Sequence, residues 1–400
     1  MNWRRSLLFG VGLVVVSAVL WACQDAIQRN AEAQSVQAPV FEVNPFWPQS
    51  LPNAWLLGPV IGLWVDSQDL IWIVHRADQL ANNEISMELD PPTSLECCQA
   101  APPVLAFDRD GNVVHAWGGE PGGDYQGYEW PESNHGLFVD HEGYVWIGGN
   151  GANDRHMLKL TQEGDVVAQF GTAGPPEDMD SHDPENFGRV AKMFVDAETN
   201  EVYVADGYVN RRVAVIDGDS GEMLRYWGAY GNDPDDDYEH ADRGADFADQ
   251  TPSQQFRGPV HCADLSHDGL VYVCDRQSNR LQVFTPEGEF VEEAFFAPSS
   301  LGEGSTWDVA FSRDPDQRFI FLADGRNQRV RIIERQTLTE ITAFGRGGRY
   351  PAHFYSIHNI ATDSDGNIYT TETYQGRRLQ KFTYMGEGTV ARDQGPPWGQ

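Results

Sequence analysis

The chain has 400 residues, enough for one large or two ordinary domains, and 40% of them are apolar, so a sizeable core can be buried. It carries 60 acidic against 28 basic residues, a formal net charge of −32. That balance argues against a nucleic-acid partner, because phosphate binding needs a basic footprint, and it suits a soluble, exported protein that holds cations.

The first element is residues 1–23. Arg4 and Arg5 precede an apolar run from Leu7 to Ala22. This pattern predicts an export signal, too short for a comfortable membrane span. Leu20-Trp21-Ala22-Cys23 resembles a bacterial lipoprotein processing site, in which Cys23 is lipidated and tethers the chain to a membrane. Cleavage after Ala31-Glu32-Ala33 and an uncleaved anchor are the alternatives. Residues 24–45 read as a linker, 46–390 as the folded domain and 391–400 as a tail.

From Gly62 onward six segments share one pattern: an apolar triplet, a polar turn, a second apolar strand, polar residues with Arg, and a third strand. They are 62–79, 136–153, 192–217, 262–284, 308–333 and 359–382, and a fourth strand follows in several ("VVAQFG", "MLRYWG", "FVEEAFF", "TEITAFG"). No helical periodicity competes. Four short strands per repeat, at roughly 40 or more residues each, predict an all-β fold, a six-bladed β-propeller of four-stranded antiparallel blades. Asp206/Asn210/Arg211, Asp275/Asn279/Arg280 and Asp324/Gln328/Arg329 resemble NHL repeats, and the Asp–Arg pairs are expected to brace loops between strands.

Insertions interrupt the repeats at 80–103, 173–188 and 231–257. The last holds Asp233, Asp235, Asp236, Asp237 and Glu239 without EF-hand spacing, so a solvated loop is expected there. Apart from Cys23 the cysteines are Cys97, Cys98, Cys262 and Cys274, with no CxxC pair, which argues against a cysteine zinc site. Cys262 and Cys274 flank a predicted hairpin and read equally as a disulfide or as two buried thiols.

The histidines follow the repeat. Five positions before the residue that ends each first triplet (Asp66, Asp140, Asp196, Ser266, Ser312, Asp363) stand Ile61, His135, Ala191, His261, Trp307 and His358. Histidine falls in blades two, four and six and in no odd blade. The first strand of a blade lines the central channel, so these three side chains are expected about 120° apart around one axis. Three converging imidazoles form the ligand set of an open tetrahedral site, with zinc as the expected ion and other divalent metals admissible. The remaining eight of the 11 histidines, His75 and His156 among them, read as surface or loop residues. The ends of the second strands reach the same face, which brings Arg76, Tyr208 and Arg276 to the presumed metal. A tyrosine there suits a general base, and the arginines suit a carboxylate clamp.

These segments together resemble peptidyl-α-hydroxyglycine α-amidating lyase, the lyase half of peptide-amidating enzymes, over about Gly58 to Phe382. His135-Gly136-Leu137, His261, His358, His75-Arg76-Ala77-Asp78, Ala205-Asp206-Gly207-Tyr208 and Cys274-Asp275-Arg276 carry the resemblance. It implies a six-bladed propeller with Zn2+ on His135, His261 and His358, Tyr208 as base, Arg76 assisting it, and Arg276 in the substrate pocket. It also implies Ca2+ near the channel on the carbonyls of Leu63 and Leu137 and on the residue after the third histidine. The family has aspartate there and this chain has Asn359. The implied reaction splits a carbinolamide, such as a peptide with a C-terminal α-hydroxyglycine, into an amide and glyoxylate. The copper-ligand motifs of the monooxygenase half are absent, so another protein would supply the hydroxylated substrate. Two other readings are a non-catalytic NHL propeller that binds protein or peptide at the envelope, and a calcium-dependent lactonase-like hydrolase.

Overall fold

In the first, second and sixth repeats an aspartate follows the first strand and organises the turn after it. Asp66 Oδ1 accepts from the main-chain N–H of Gln68 and Leu70, and its Oδ2 accepts from Trp72 Nε1 at 2.8 Å. Asp140 does the same for Glu142, Tyr144 and Trp146. Asp363 does so for Asp365, Asn367 and the Tyr369 hydroxyl. One side chain thus closes the turn and ties down a core aromatic on the next strand, which favours short antiparallel strands over helix.

The computed structural model describes residues 35–175, 180–244 and 246–398. The export signal, the Cys23 site and the alternative cleavage site lie outside these residues. Six four-stranded antiparallel sheets form the blades of a β-propeller, and among the described residues helix is limited to single 3-10 turns. The innermost strands, in blade order, are Val60–Val65, Asn134–Val139, Val190–Val195, Val260–Leu265, Asp308–Phe311 and Ile357–Thr362. Apolar clusters fill the spaces between adjacent blades, as with Phe138, Trp146, Met157, Val190, Met193 and Val204 between the second and third.

One boundary is corrected. Residues 24–45 were expected to be a linker, yet Ser35–Asn44 is a strand, pairing antiparallel with Leu379–Ala391 as the outer strand of blade 6. Phe41 and Val43 bury into the core beside Phe321, Phe344 and Phe382, so the N-terminal strand clasps the ring shut. The expected tail packs here too: Val43 N donates to Pro397 O at 2.8 Å.

The bracing arginines are also partly reassigned. Asp275 pairs with Arg280 as expected (2.9 Å). Asp206 pairs with Arg212 rather than Arg211, and Asp324 with Arg331 rather than Arg329. Arg211 lies in the turn, one residue before the paired strand, and donates to Asp235 O and Tyr238 O. Arg331 stands two residues beyond Arg329, on the same strand face, and Arg329 bonds Asp393 instead. His75 and His156, expected at the surface, are 0% and 1% exposed. Each sits in a strand with a ring nitrogen bonded to a main-chain carbonyl, Pro102 O and Glu129 O respectively.

Cys262 faces Cys274 across the first two strands of blade 4, Cα atoms 4.9 Å apart, and the two form a disulfide.

Candidate metal centre

Five of the six inner strands break register at the same place: between Val60 and Gly62, His135 and Leu137, Val190 and Lys192, Val260 and Cys262, and Ile357 and Ile360. A bulge re-aims the side chain it carries. In the even blades that side chain is the histidine or its neighbour. In blade 2 the bulge needs glycine: Gly136 has φ +68°, and a Cβ there would stand 2.6 Å from Ala191 O.

The three expected imidazoles meet. Ring centroids are 5.3 Å apart for His135 and His261 and 4.9 Å for each with His358, and one nitrogen from each lies within 4.8 Å of the others. All three residues are buried, at 1–2% exposure. Burial, with the nearby Arg76 and Arg276 guanidiniums, holds His135 and His261 well below the usual imidazole value, and chiefly burial brings His358 down to about 3. The rings are therefore neutral. Nδ1 of His135 bonds Ala191 O at 2.7 Å, and Nδ1 of His261 bonds Trp307 O at 2.5 Å. Nδ1 of His358 bonds Asn359 Oδ1 at 2.6 Å. A carbonyl accepts only, so each Nδ1 holds the proton and each Nε2 keeps a lone pair. Three buried lone pairs aimed at one point repel one another unless a cation lies between them. The donor set, its outer-shell acceptors and its burial fit a divalent metal.

The expected mouth residues converge on the same point. Tyr208, half-buried, places Oη 2.8 Å from His135 Nε2 and 3.3 Å from His261 Nε2. Arg276, 4% exposed, reaches Tyr208 Oη with Nη1 at 3.3 Å, bonds Glu303 with Nη2 at 2.6 Å, and stacks over Trp307. Its Nε has no partner among the described residues. Arg76 is braced by Asn134 O and Asn150 Oδ1, and burial holds its guanidinium below the usual value. Asp206 fixes the loop that carries Tyr208: its carboxylate accepts from Gly188 N, Asn210 Nδ2 and Arg212 Nε. Sequence reasoning missed Glu303, Asn150 and Tyr374. Tyr374 faces the same arginines, and burial, then Glu303, raises its phenol. Glu303 lies in a loop between repeats, and Asn150 and Tyr374 in the turns that follow second strands, where the repeat pattern specifies no residue type.

Of the residues expected at a calcium, Leu63 and Leu137 lie on the innermost strands of blades 1 and 2, and the Asn359 side chain is already engaged. Asn359 Oδ1 is taken by His358 Nδ1, with Thr371 Oγ1 3.3 Å away, and its Nδ2 donates to Asp308 Oδ2 at 3.1 Å. The nearby channel holds a buried ammonium instead: Lys192 Nζ lies 2.8 Å from Asp264 and 2.7 Å from Asp308. In the acidic insertion, Asp236 is spent on Ser181 N and Oγ, at 2.8 and 2.6 Å.

No known family profile matches the chain. Its relatives include mouse NHL repeat-containing protein 3, 25% identical over 319 residues, covering 77% of this chain and 71% of that one. Rat peptidylglycine alpha-amidating monooxygenase is 25% identical over 346 residues, 83% of this chain but 31% of the rat protein. A probable peptidyl-alpha-hydroxyglycine alpha-amidating lyase of Caenorhabditis elegans is 22% identical over 256 residues, 62% of this chain and 63% of that one.

Proposed function

We propose that the chain is a metal-dependent carbon–nitrogen lyase, acting on a carbinolamide whose carbon also bears a carboxylate. The observation that carries this reading is Tyr208 Oη within hydrogen-bond reach of two of three neutral, buried imidazoles, with Arg276 bonded to the same oxygen. His135, His261 and His358 would hold a divalent ion, which would supply Lewis acidity at this point of the channel. Arg276, with its spare Nε–H, takes the substrate carboxylate in exchange for Glu303. Arg76, held by Asn134 and Asn150, adds positive charge beside Tyr208. Tyr208, acting as the phenolate beside the Arg76 and Arg276 guanidiniums, receives the hydroxyl proton at Oη and hands it on to the departing nitrogen. The O–H electron pair becomes the carbonyl, the carbon–nitrogen bond breaks with its pair on nitrogen, and nitrogen gains a proton. The products are an amide and glyoxylate, with no net redox change. In this reading the protein is exported and tethered at Cys23, and other proteins make its substrate.

The match to NHL repeat-containing protein 3 supports a second, non-catalytic reading as a binding propeller. One experiment separates the two. Purified protein is assayed for metal and then for glyoxylate release from a peptide ending in α-hydroxyglycine. One metal per chain with glyoxylate and amide in equal amounts supports the lyase. A fully loaded protein that releases none leaves the binding propeller.

A further inference from the structure

The three imidazoles are not oriented alike. His135 and His261 donate to main-chain carbonyls of the following blade, Ala191 O and Trp307 O. His358 donates to a side chain, Asn359 Oδ1, and that amide is itself held: Asn359 Nδ2 donates to Asp308 Oδ2 at 3.1 Å. Asp308 in turn lies 2.7 Å from Lys192 Nζ, whose other carboxylate partner is Asp264. Lys192, Asp264, Asp308 and Asn359 are all buried. A carboxylate only accepts, so Asp308 dictates which end of the Asn359 amide faces it. The oxygen must then face His358, and His358 must carry its proton on Nδ1. The Nε2 lone pair is thereby aimed at the centre.

We propose that Lys192 is the built-in cation of the channel: its ammonium stands in for the calcium that the family resemblance implies, and through Asp308 and Asn359 it orients His358 toward the metal. The inference rests on reading the three imidazoles as metal ligands. Lys192, Asp308 and Asn359 occupy the same repeat offset, one residue after the channel-mouth position, in blades three, five and six. Blades one and two have Gly62 and Gly136 there, and a Cβ on Gly136 would stand 3.1 Å from the Lys192 Cα. Two buried carboxylates without a cation would be strongly destabilising. Burial alone pulls the ammonium down, but Asp264 and Asp308 outweigh it and hold Lys192 up at about 12, so the cation is permanent. Calcium takes 6–8 oxygens at about 2.3–2.6 Å. To bind the same carboxylates it would have to displace Nζ. Trp64, whose ring lies 6.0 Å from Nζ, packs with Phe138 and Phe194 and offers no oxygens from that side. Lys192, Asp308 and Asn359 are therefore positioning residues.

The test uses the full chain loaded with zinc and reads binding and melting, so a failed glyoxylate assay leaves it untouched. Calcium chloride titrated to millimolar levels is expected to give no binding heat and no change in Tm. Saturable binding with a rise in Tm overturns the proposal. Asn359→Ala is expected to weaken zinc about 10–100-fold by chelator competition, as loss of an outer-shell partner does, and to alter the visible spectrum of the cobalt-loaded protein. Asn359→Asp keeps an acceptor for His358 but loses the donor to Asp308 Oδ2, so it is expected to hold zinc more tightly than Asn359→Ala while lowering Tm through two facing buried carboxylates. Zinc affinity and cobalt spectrum unchanged in Asn359→Ala refute the link to His358. The pair K192M/N359D exchanges the ammonium for a carboxylate and is expected to make Tm calcium-dependent. A folded double variant indifferent to calcium counts against the substitution of one cation for another. If that variant does not fold, the calcium titration and Asn359→Ala decide.

Discussion

Tyr208→Phe removes one oxygen and keeps a ring that has reasons to stay. Its centroid lies 4.9 Å from the His135 ring and 5.9 Å from the His261 ring, and the Arg276 guanidinium carbon is 5.7 Å away. The ring also packs on the core cluster that includes Ala191, Tyr203, Phe256 and Val260. The hydroxyl of this partly buried residue makes three polar contacts, at 2.8, 3.3 and 3.3 Å. Its net worth to stability is about 1 kcal/mol or less. As the proton acceptor its worth is larger: positioned general bases contribute roughly 10²–10⁴-fold, or about 3–5 kcal/mol in the barrier. The expected variant is folded, fully metallated and slow. Because Arg276, not Tyr208, grips the carboxylate, kcat should fall and KM should hold within a few-fold. Glyoxylate release, metal content and Tm, measured on one preparation, check this. A kcat within about threefold of the parent removes Tyr208 from the chemistry. Loss of metal with the hydroxyl would make Tyr208 a ligand rather than a base and overturn the argument as well.

His261→Ala removes one imidazole and the donor to Trp307 O; it is expected to lose most bound metal while melting like the metal-free parent, since the apolar clusters between blades are untouched, and full stoichiometric metal would refute the centre. Asp206→Ala leaves Arg212, 0% exposed, without its counter-ion, which costs about 3–5 kcal/mol; denaturant unfolding should register that loss, and turnover should drop because the Tyr208 loop loses its anchor. Burial holds His75 down at about 4, so its contribution is complete above its ordinary 6.5 and is lost as pH falls toward 4. His75→Gln should therefore flatten the acid-side decline by roughly 3 kcal/mol between those values, read as the difference in unfolding free energy from the parent across pH. Burial pushes Glu372 up to about 7 despite Arg378, so its contribution is present below 4.5 and lost as pH rises through 7; Glu372→Gln should remove a slope of the opposite sign between those two values.

The repeat made the blades readable. Alternating apolar strands and Asp-centred turns recur in register, and the same register carries His135, His261 and His358 to one depth of the channel. What stayed illegible depends on contacts that no repeat encodes. Ser35–Asn44 alternates like any strand, but it stands before the first repeat, and only ring closure gives it a partner, Leu379–Ala391. Arg211 and Arg212 are adjacent, and the turn length alone decides which one meets Asp206. Glu303 and Asn150 reach the mouth from a loop and a turn whose paths depend on their neighbours. Lys192 stands at the edge of the third repeat's first apolar triplet, and nothing local marks it out. Its meaning emerges only when Asp264 and Asp308, two strands from elsewhere in the chain, close around it.

The alternation of blades has a second consequence beyond spacing. A metal-binding imidazole needs an acceptor for its other nitrogen, and in this ring the next blade supplies it: His135 of blade 2 uses Ala191 O of blade 3, and His261 of blade 4 uses Trp307 O, at the head of blade 5. Even blades bring rings and odd blades bring carbonyls, so histidines in consecutive blades would crowd the axis. By this rule His358 of blade 6 should lean on Ile61 of blade 1. It bonds Asn359 instead. That junction is where the ring is closed by a strand from the other end of the chain, and there orientation passes from the main chain to a side-chain relay. A main-chain acceptor cannot be removed by substitution, whereas Asn359, Asp308 and Lys192 each can. His358 is therefore the imidazole whose aim a single substitution outside the ligand set should disturb most, and metal affinity should be more sensitive to Asn359→Ala than to side-chain changes at Ala191.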